Sequence, residues 1–380
     1  MSIAFDFIGT NIGSGTKTYN INFCNELKSS NLKENITIFL TKNYYNQIQP
    51  SLKNKPKIKY VVKSNLFSNI FFRLLWMQLI FPFELKFLRI KRLYSPMNFC
   101  PIFLRLFNIK IILALHSNLP WVFFHLMPGN RIRNFFTKKL MELSVIACNV
   151  LIVDSYFAKE EISNILKIKK DKIKVIYLGI DKKYLSSDYS KKFFENFNYN
   201  EKYIISVLSC VKYHNILNLL KAFKIFINEI DFKIKLVLIL QILDKKYYSE
   251  LNEYIISNFD KDKINIISNV ESDKLPNFYK HAQLYIFSSY CEVFGLTSLE
   301  AMTQRCPVLI SKTSALPEIN ADAGDYFNPD NIIEIKNKIK NIIINKDYKN
   351  ELVKKGEAHY KKFTWNKTVN KTLDEIYNLN

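Results

Sequence analysis

Residues 288–329 read SSYCEVFGLTSLEAMTQRCPVLISKTSALPEINADAGDYFNP, the most informative stretch of the chain. A strand-like apolar run, LYIFS at 284–288, leads into it. A loop then carries Glu292, Phe294-Gly295-Leu296 reads as a turn, and a helix is predicted to open at about Thr297 and to include Glu300. The first N–H groups of a helix lack intrahelical partners and carry partial positive charge, so a helix start attracts anions. Glu292 and Glu300 therefore flank an anion-binding turn. That arrangement suits a ligand with phosphate at its middle and hydroxyls at either end, such as a sugar nucleotide. A plainer reading exists as well. Thr297-Ser298-Leu299-Glu300 is a capping box, in which Glu300 merely bonds back to the Thr297 N–H, and Glu292 alone is a solvated loop carboxylate.

The same alternation of strand and helix extends on both sides. YIISVL (203–208), KLVLILQ (235–241), INIIS (264–268), LYIFS (284–288) and PVLIS (307–311) form one series of short apolar runs. SIAFDFI (2–8), ITIFL (36–40), IKYVV (58–62), KIILAL (110–115), VLIVD (150–154) and IKVIYL (173–178) form an earlier one. Runs this continuously apolar suit parallel strands covered by helices on both faces. Two series predict two doubly wound α/β domains, with the polar segment 181–202 as the boundary. Ligands in such sheets bind beyond the carboxyl ends of the strands, so two facing domains are expected to hold one in a cleft.

The first strand runs into FIGTNIGSGTKTYNINF, residues 7–23, which nearly spells a phosphate-binding Walker A loop. It fails, because Gly9 has no Gly partner at position 14 and Thr16 separates Gly15 from Lys17. What remains is a Gly-rich turn at Gly13-Ser14-Gly15 between a strand and a helix. The chain holds only 8 glycines, so each is expected to answer a backbone need, either positive φ or close approach.

Composition narrows the class. No run of eighteen apolar residues is present, and MSIAFDF has neither a basic start nor a cleavage site, so neither a transmembrane helix nor a signal peptide is expected. The 6 cysteines are scattered without metal-ligand spacing, which reads as a reduced cytosolic protein. A net charge of +21 invites a nucleic-acid partner. However, abundant Lys, Ile, Asn, Phe and Tyr with few Gly is the imprint of AT-rich coding, and the lysines are dispersed, so no nucleic-acid partner is expected. Arginine resists that bias. Arg73, Arg89, Arg92, Arg105, Arg131 and Arg133 cluster around the aromatic segment NLFSNIFFRLLWMQLIFPFELKFLRIKRLY, residues 65–94. Two readings fit this segment: a buried helix face, or an amphipathic surface suited to peripheral contact with an anionic membrane.

The 288–329 stretch resembles the E-x7-E signature of the family-four retaining glycosyltransferases of the GT-B fold. The likeness extends through LEAM, PV, ALPEI, DAG and YFNP. LPNFYKHAQLYIFSS (275–289) is similar to the element before that loop, VIYLGID (175–181) to the end of the first domain, and FTWNKTVNKTLDEIY (363–377) to the closing helix. The likeness is weakest between about 30 and 105. It implies an N-terminal acceptor-side Rossmann-like domain at 1–181, a C-terminal nucleotide-sugar domain at 182–362, and a helix at 363–380 that crosses back onto the first domain.

The resemblance also implies roles. Glu300 would bind the ribose hydroxyls of the donor and Glu292 would lie against the transferred sugar. The backbone at Phe294, Gly295, Leu296 and Thr297 would approach donor sugar and diphosphate, as would the Gly13 and Gly15 turn, whose amides need no Walker A lysine. LALHSNLPW (113–121) places His116 past a strand end, where relatives carry a His near the reacting sugar; a purely structural histidine is the alternative. The family's diphosphate-binding Arg and Lys fall on Ser209 and His214, with Lys212 the nearest fixed cation, so either Lys212, His214 or a basic residue of the first domain substitutes, or activity is reduced. The expected function is a metal-independent retaining glycosyltransferase of hexosyltransferase type, with no cofactor beyond its nucleotide-diphosphate sugar. The expected acceptor is a glycan or lipid-linked saccharide in surface polysaccharide or lipopolysaccharide biosynthesis. The competing expectation is a catalytically weak sugar-nucleotide or glycan-binding protein on the same fold.

Overall fold

The computed structural model describes residues 2–8, 14–27, 30–48, 56–185 and 201–379. The chain divides into two compact units. One comprises Met1–Trp121, Ile132–Gly179 and Thr364–Asn380; the other comprises Val122–Arg131 and Ile180–Phe363. The short segment Val122–Arg131 thus belongs with the second unit, although the sequence reading placed it in the first domain.

The first unit is built on β1 (Ser2–Asp6), β2 (Asn35–Thr41), β3 (Ile58–Lys63), β4 (Ile90–Ser95), β5 (Lys110–Leu115), β6 (Val150–Val153) and β7 (Ile173–Val175). Their order is β3-β2-β1-β4-β5-β6-β7, with every pairing parallel. The second unit holds β8 (Tyr203–Cys210), β9 (Lys235–Ile242), β10 (Ile264–Ser268), β11 (Leu284–Phe287), β12 (Val308–Ser311) and β13 (Asp325–Phe327). Their order is β10-β9-β8-β11-β12-β13, again all parallel. Both are doubly wound sheets. The chain switches direction between β1 and β4 in one and between β8 and β11 in the other, the places where such folds bind ligands.

Two strands escaped the sequence reading. β4 lies inside the aromatic segment read as helical, and its Lys91 and Arg92 break the apolar run. Arg92 is nevertheless buried, because its guanidinium donates to Glu34 at 2.8 Å and to the Leu379 carbonyl at 2.8 Å. β13 is three residues long at the sheet edge, too short to leave a pattern.

The closing helix Trp365–Tyr377 lies in the first unit. Trp365, Thr368, Val369, Thr372, Leu373 and Ile376 recur at helical spacing and are buried. Trp365, Val369, Leu373 and Ile376 join Phe5, Phe23 and Ile112 in one core cluster, and the closing helix packs against the helix Ser14–Leu27. Gly179 makes this docking possible. A Cβ there would sit 2.1 Å from the Trp365 backbone nitrogen, closer than any side chain tolerates.

The aromatic segment proves to have two faces. Its helical part, residues 70–87, buries Arg73, Trp76, Met77, Phe81 and Leu85, with Trp76 stacked 4.2 Å from Phe81. On the opposite side Phe71, Leu75, Leu79, Phe83 and Phe87 stand in solvent. Phe83 meets Phe107 at 5.1 Å, on the turn Ile102–Phe107, where Leu106 is 82% exposed. Arg105 in that turn donates to the Ile146 carbonyl at 3.2 Å, next to the outward stripe Ile132, Phe136, Leu143 and Ile146 of the helix Arg131–Ala147. Arg73 and Arg92, two of the six arginines singled out in the sequence, lie inside.

Candidate functional site

In the second unit, the loop after β11 is held by its neighbours. The Ser288 hydroxyl donates to the His214 carbonyl at 2.7 Å and the Tyr290 N–H to the Tyr213 carbonyl at 2.8 Å. The Glu292 N–H donates to the Ser314 hydroxyl at 2.9 Å, and the Glu292 carbonyl accepts from the Ala315 N–H at 3.1 Å. Phe294 is buried and meets Phe363 at 5.8 Å. Gly295 adopts φ +86, a left-handed conformation that glycine takes freely, and a Cβ there would also lie 2.4 Å from the Leu316 side chain. The chain can enter the helix Leu296–Thr303 at this angle only with a glycine.

Gly295 caps that helix, so it opens at Leu296, one residue earlier than the sequence predicts. No side chain caps it. The Thr297 hydroxyl instead accepts from the Tyr285 hydroxyl at 2.7 Å, and the capping box is not formed. The carboxyl of Glu300 is thereby released from a capping duty. It is 5% exposed, and burial pushes its pKa up to about 7, opposed by the Lys183 ammonium and a Tyr184 hydrogen bond and reinforced by Asp181.

The expected cations sit on the turn Lys212–His214 that follows β8. His214 is buried; its Nδ1 lies 2.6 Å from the Ser209 carbonyl and its Nε2 lies 3.3 Å from Glu292 Oε1. Both ring nitrogens therefore face acceptors of the protein, and His214 touches Glu292 directly. Lys212 is half-exposed and lies 3.4 Å from Glu250. The structure thus brings Glu292 and His214 together, and puts Leu296, Thr297 and Glu300 on the short helix that Gly295 caps.

The first unit carries the other candidates. Gly13 lies outside the described residues. Gly15 is helical, in the first turn of Ser14–Leu27 rather than in the preceding turn, and a Cβ on it would meet nothing within 4 Å. Packing therefore does not demand glycine at this position.

His116 follows β5 directly and Asp154 follows β6. Leu115 and Val153 are paired across those strands, so register alone sets the two side chains beside each other. His116 Nδ1 lies 3.0 and 2.9 Å from the two carboxylate oxygens of Asp154. The His116 N–H donates to Asn98 Oδ1 at 2.7 Å, and the ring packs 4.4 Å from that of Tyr19. Asp154 was not singled out from the sequence. An acidic residue ahead of Ser155, which caps the helix Tyr156–Leu166, looks like ordinary helix-start composition.

Residues 188–359 match the family model described as Glycosyl transferases group 1. Over 215 residues the chain is 26% identical to the O-antigen chain mannosyltransferase RfbU of Salmonella typhimurium, a match covering 57% of this chain and 57% of that protein. The chain therefore spans little more than half of that relative's length. Among solved structures it is similar to a glycosyltransferase from Rickettsia africae ESF-5 (TM-score 0.74, 18% identity, 100% of this chain and 99% of that one). It is equally similar to Anabaena Alr3699/HepE in complex with UDP-glucose (TM-score 0.74, 14% identity, 99% of this chain and 100% of that one). Residues 188–359 thus carry the likeness to the group 1 glycosyltransferases, and the chain as a whole has the GT-B fold.

Proposed function

We propose that the chain transfers a hexose from a nucleotide-diphosphate donor to a hydroxyl acceptor, with retention of anomeric configuration. The observation that carries this is Glu300. Its buried carboxyl has no capping role and sits on a helix whose start, at Gly295, leaves backbone N–H groups without side-chain partners. A diol such as ribose would satisfy that carboxyl, while a diphosphate would meet the positive end of the helix. Glu292 would face the transferred sugar. Charge on the leaving diphosphate would be met by helix N–H groups and by Lys212, without a metal ion.

The engagement of His214 favours a second reading on the same fold. Ser209 stands where the family has Arg, and both nitrogens of His214 are occupied by Ser209 and Glu292. A sugar-nucleotide-binding protein with weak catalysis would look the same. A thermal-shift series with UDP, GDP, ADP, CMP and dTDP, each with and without Mg²⁺, tests the donor site that both readings share, and transfer from the matching nucleotide sugar to an acceptor separates them. Stabilisation by one nucleotide, independent of metal and lost in Glu300→Ala, supports the donor site, and transfer that is lost in the same variant supports the transferase. No response to any of them overturns the donor site.

For the acceptor we propose a lipid-linked saccharide in surface polysaccharide assembly, reached at an anionic membrane face. Between residues 65 and 141 the sequence has a single acidic residue, Glu84, against eleven Lys and Arg, of which all but the buried Arg73 and Arg92 are left for the surface. The exposed apolar stripes described above lie in this interval and continue to Ile146. Apolar side chains ringed by cations with almost no acid suit an anionic bilayer surface.

A further inference from the structure

We infer that Asp154 is a positioning residue. It fixes the His116 ring so that Nε2 is presented as a hydrogen-bond acceptor for a sugar hydroxyl. The inference rests on the transferase reading for the identity of the hydroxyl, but not for the state of the ring.

An ionised carboxylate only accepts hydrogen bonds, so the His116 nitrogen between the two Asp154 oxygens must be the one bearing hydrogen. Asp154 is 1% exposed, and no other hydrogen bond competes for its carboxylate among those the described residues show. The remaining ring nitrogen, Nε2, is buried and has no hydrogen-bond partner among the described residues. Tyr19 packs against the ring at 4.4 Å and Asn98 fixes the backbone, so the ring is oriented while its second nitrogen is unfilled. A core histidine kept for packing has no need of one filled and one empty nitrogen, because burying an unsatisfied polar atom destabilises a fold. In the neutral ring, a carboxylate at Nδ1–H leaves the Nε2 lone pair as the group offered to a ligand. Sugar hydroxyls are donors of the right kind.

Two measurements on the full chain test this. With histidine-selective ¹⁵N labelling at neutral pH, the His116 resonances are expected to report hydrogen on Nδ1 and a bare Nε2. In Asp154→Asn, which keeps the size but not the acceptor pair, that fixed assignment should be lost. An unchanged pattern in Asp154→Asn overturns the inference whatever the protein's activity. In sugar transfer, Asp154→Asn should lower kcat by roughly tenfold or more with little change in nucleotide affinity. The double variant His116→Gln/Asp154→Asn should be no worse than His116→Gln alone, because a residue that acts through another adds nothing once that other is gone. Additive losses, or undiminished transfer in His116→Gln, would overturn it. Absence of any transfer by the unaltered chain would instead defeat the transferase reading and leave the ring measurement to decide Asp154.

Discussion

Glu300 holds a carboxyl where its charge is penalised, and the penalty has a readable sign. The folded chain keeps the proton up to about pH 7, whereas an exposed glutamate releases it near 4.3. Between those values the folded state binds more proton than the unfolded one, so this residue lowers stability as pH rises through the interval. Glu300→Gln removes the charge and keeps the shape. The variant is expected to gain on the order of 1–3 kcal/mol relative to the unaltered chain at pH 8, and much less at pH 5. Melting curves at the two pH values check this; an identical difference at both would show that burial does not govern the group. The same substitution should abolish transfer. A residue that costs stability and is needed for activity is the pattern expected of a binding carboxylate that awaits its hydroxyls.

At the scale of elements, two glycines separate docking from function. Gly179→Ala would push a Cβ into the Trp365 backbone, and should cost about 2 kcal/mol or more by displacing the closing helix. Gly15→Ala enters open space in a helix and should leave stability unchanged or raise it by about 0.5–1 kcal/mol. If the Gly15 backbone serves by close approach to substrate, transfer falls in that variant while its melting temperature does not. Paired melting and activity assays read both. The parallel strands were legible because most of them bury both faces and so write an apolar run, the edge strands β3 and β10 being only partly buried. β4 was not, since its Arg92 is buried by an ion pair with Glu34 from a distant part of the chain. In the site, Gly295 and Glu300 could be read from one contiguous segment. Asp154 could not, because its partner His116 lies 38 residues away and only strand register joins them. The capping-box pattern at Thr297 misled for a related reason: Tyr285, twelve residues upstream, claims the hydroxyl that local sequence assigns to the helix start.

For the molecule as a whole, charge and apolarity coincide on the first unit. No helix among the described residues is long and apolar enough to cross a membrane, and the contact proposed here is one of surface side chains. Phe87 is 87% and Leu106 82% exposed. Replacing both by serine should leave folding intact while weakening co-sedimentation with phosphatidylglycerol-containing vesicles. Binding should also fall as salt rises and be weak to phosphatidylcholine alone. Equal sedimentation of the variant and the unaltered chain would exclude this surface as the contact. A different consequence follows from the closing helix. Its residues Trp365, Val369, Leu373 and Ile376 complete the core that begins with Ile3 and Phe5, so the first unit stays unfinished until nearly the whole described chain has left the ribosome. The second unit, contained within residues 122–363, has all its parts earlier. During synthesis the order of maturation is therefore reversed along the chain, and the N-terminal core waits, with an apolar groove open, for its last strip of sequence.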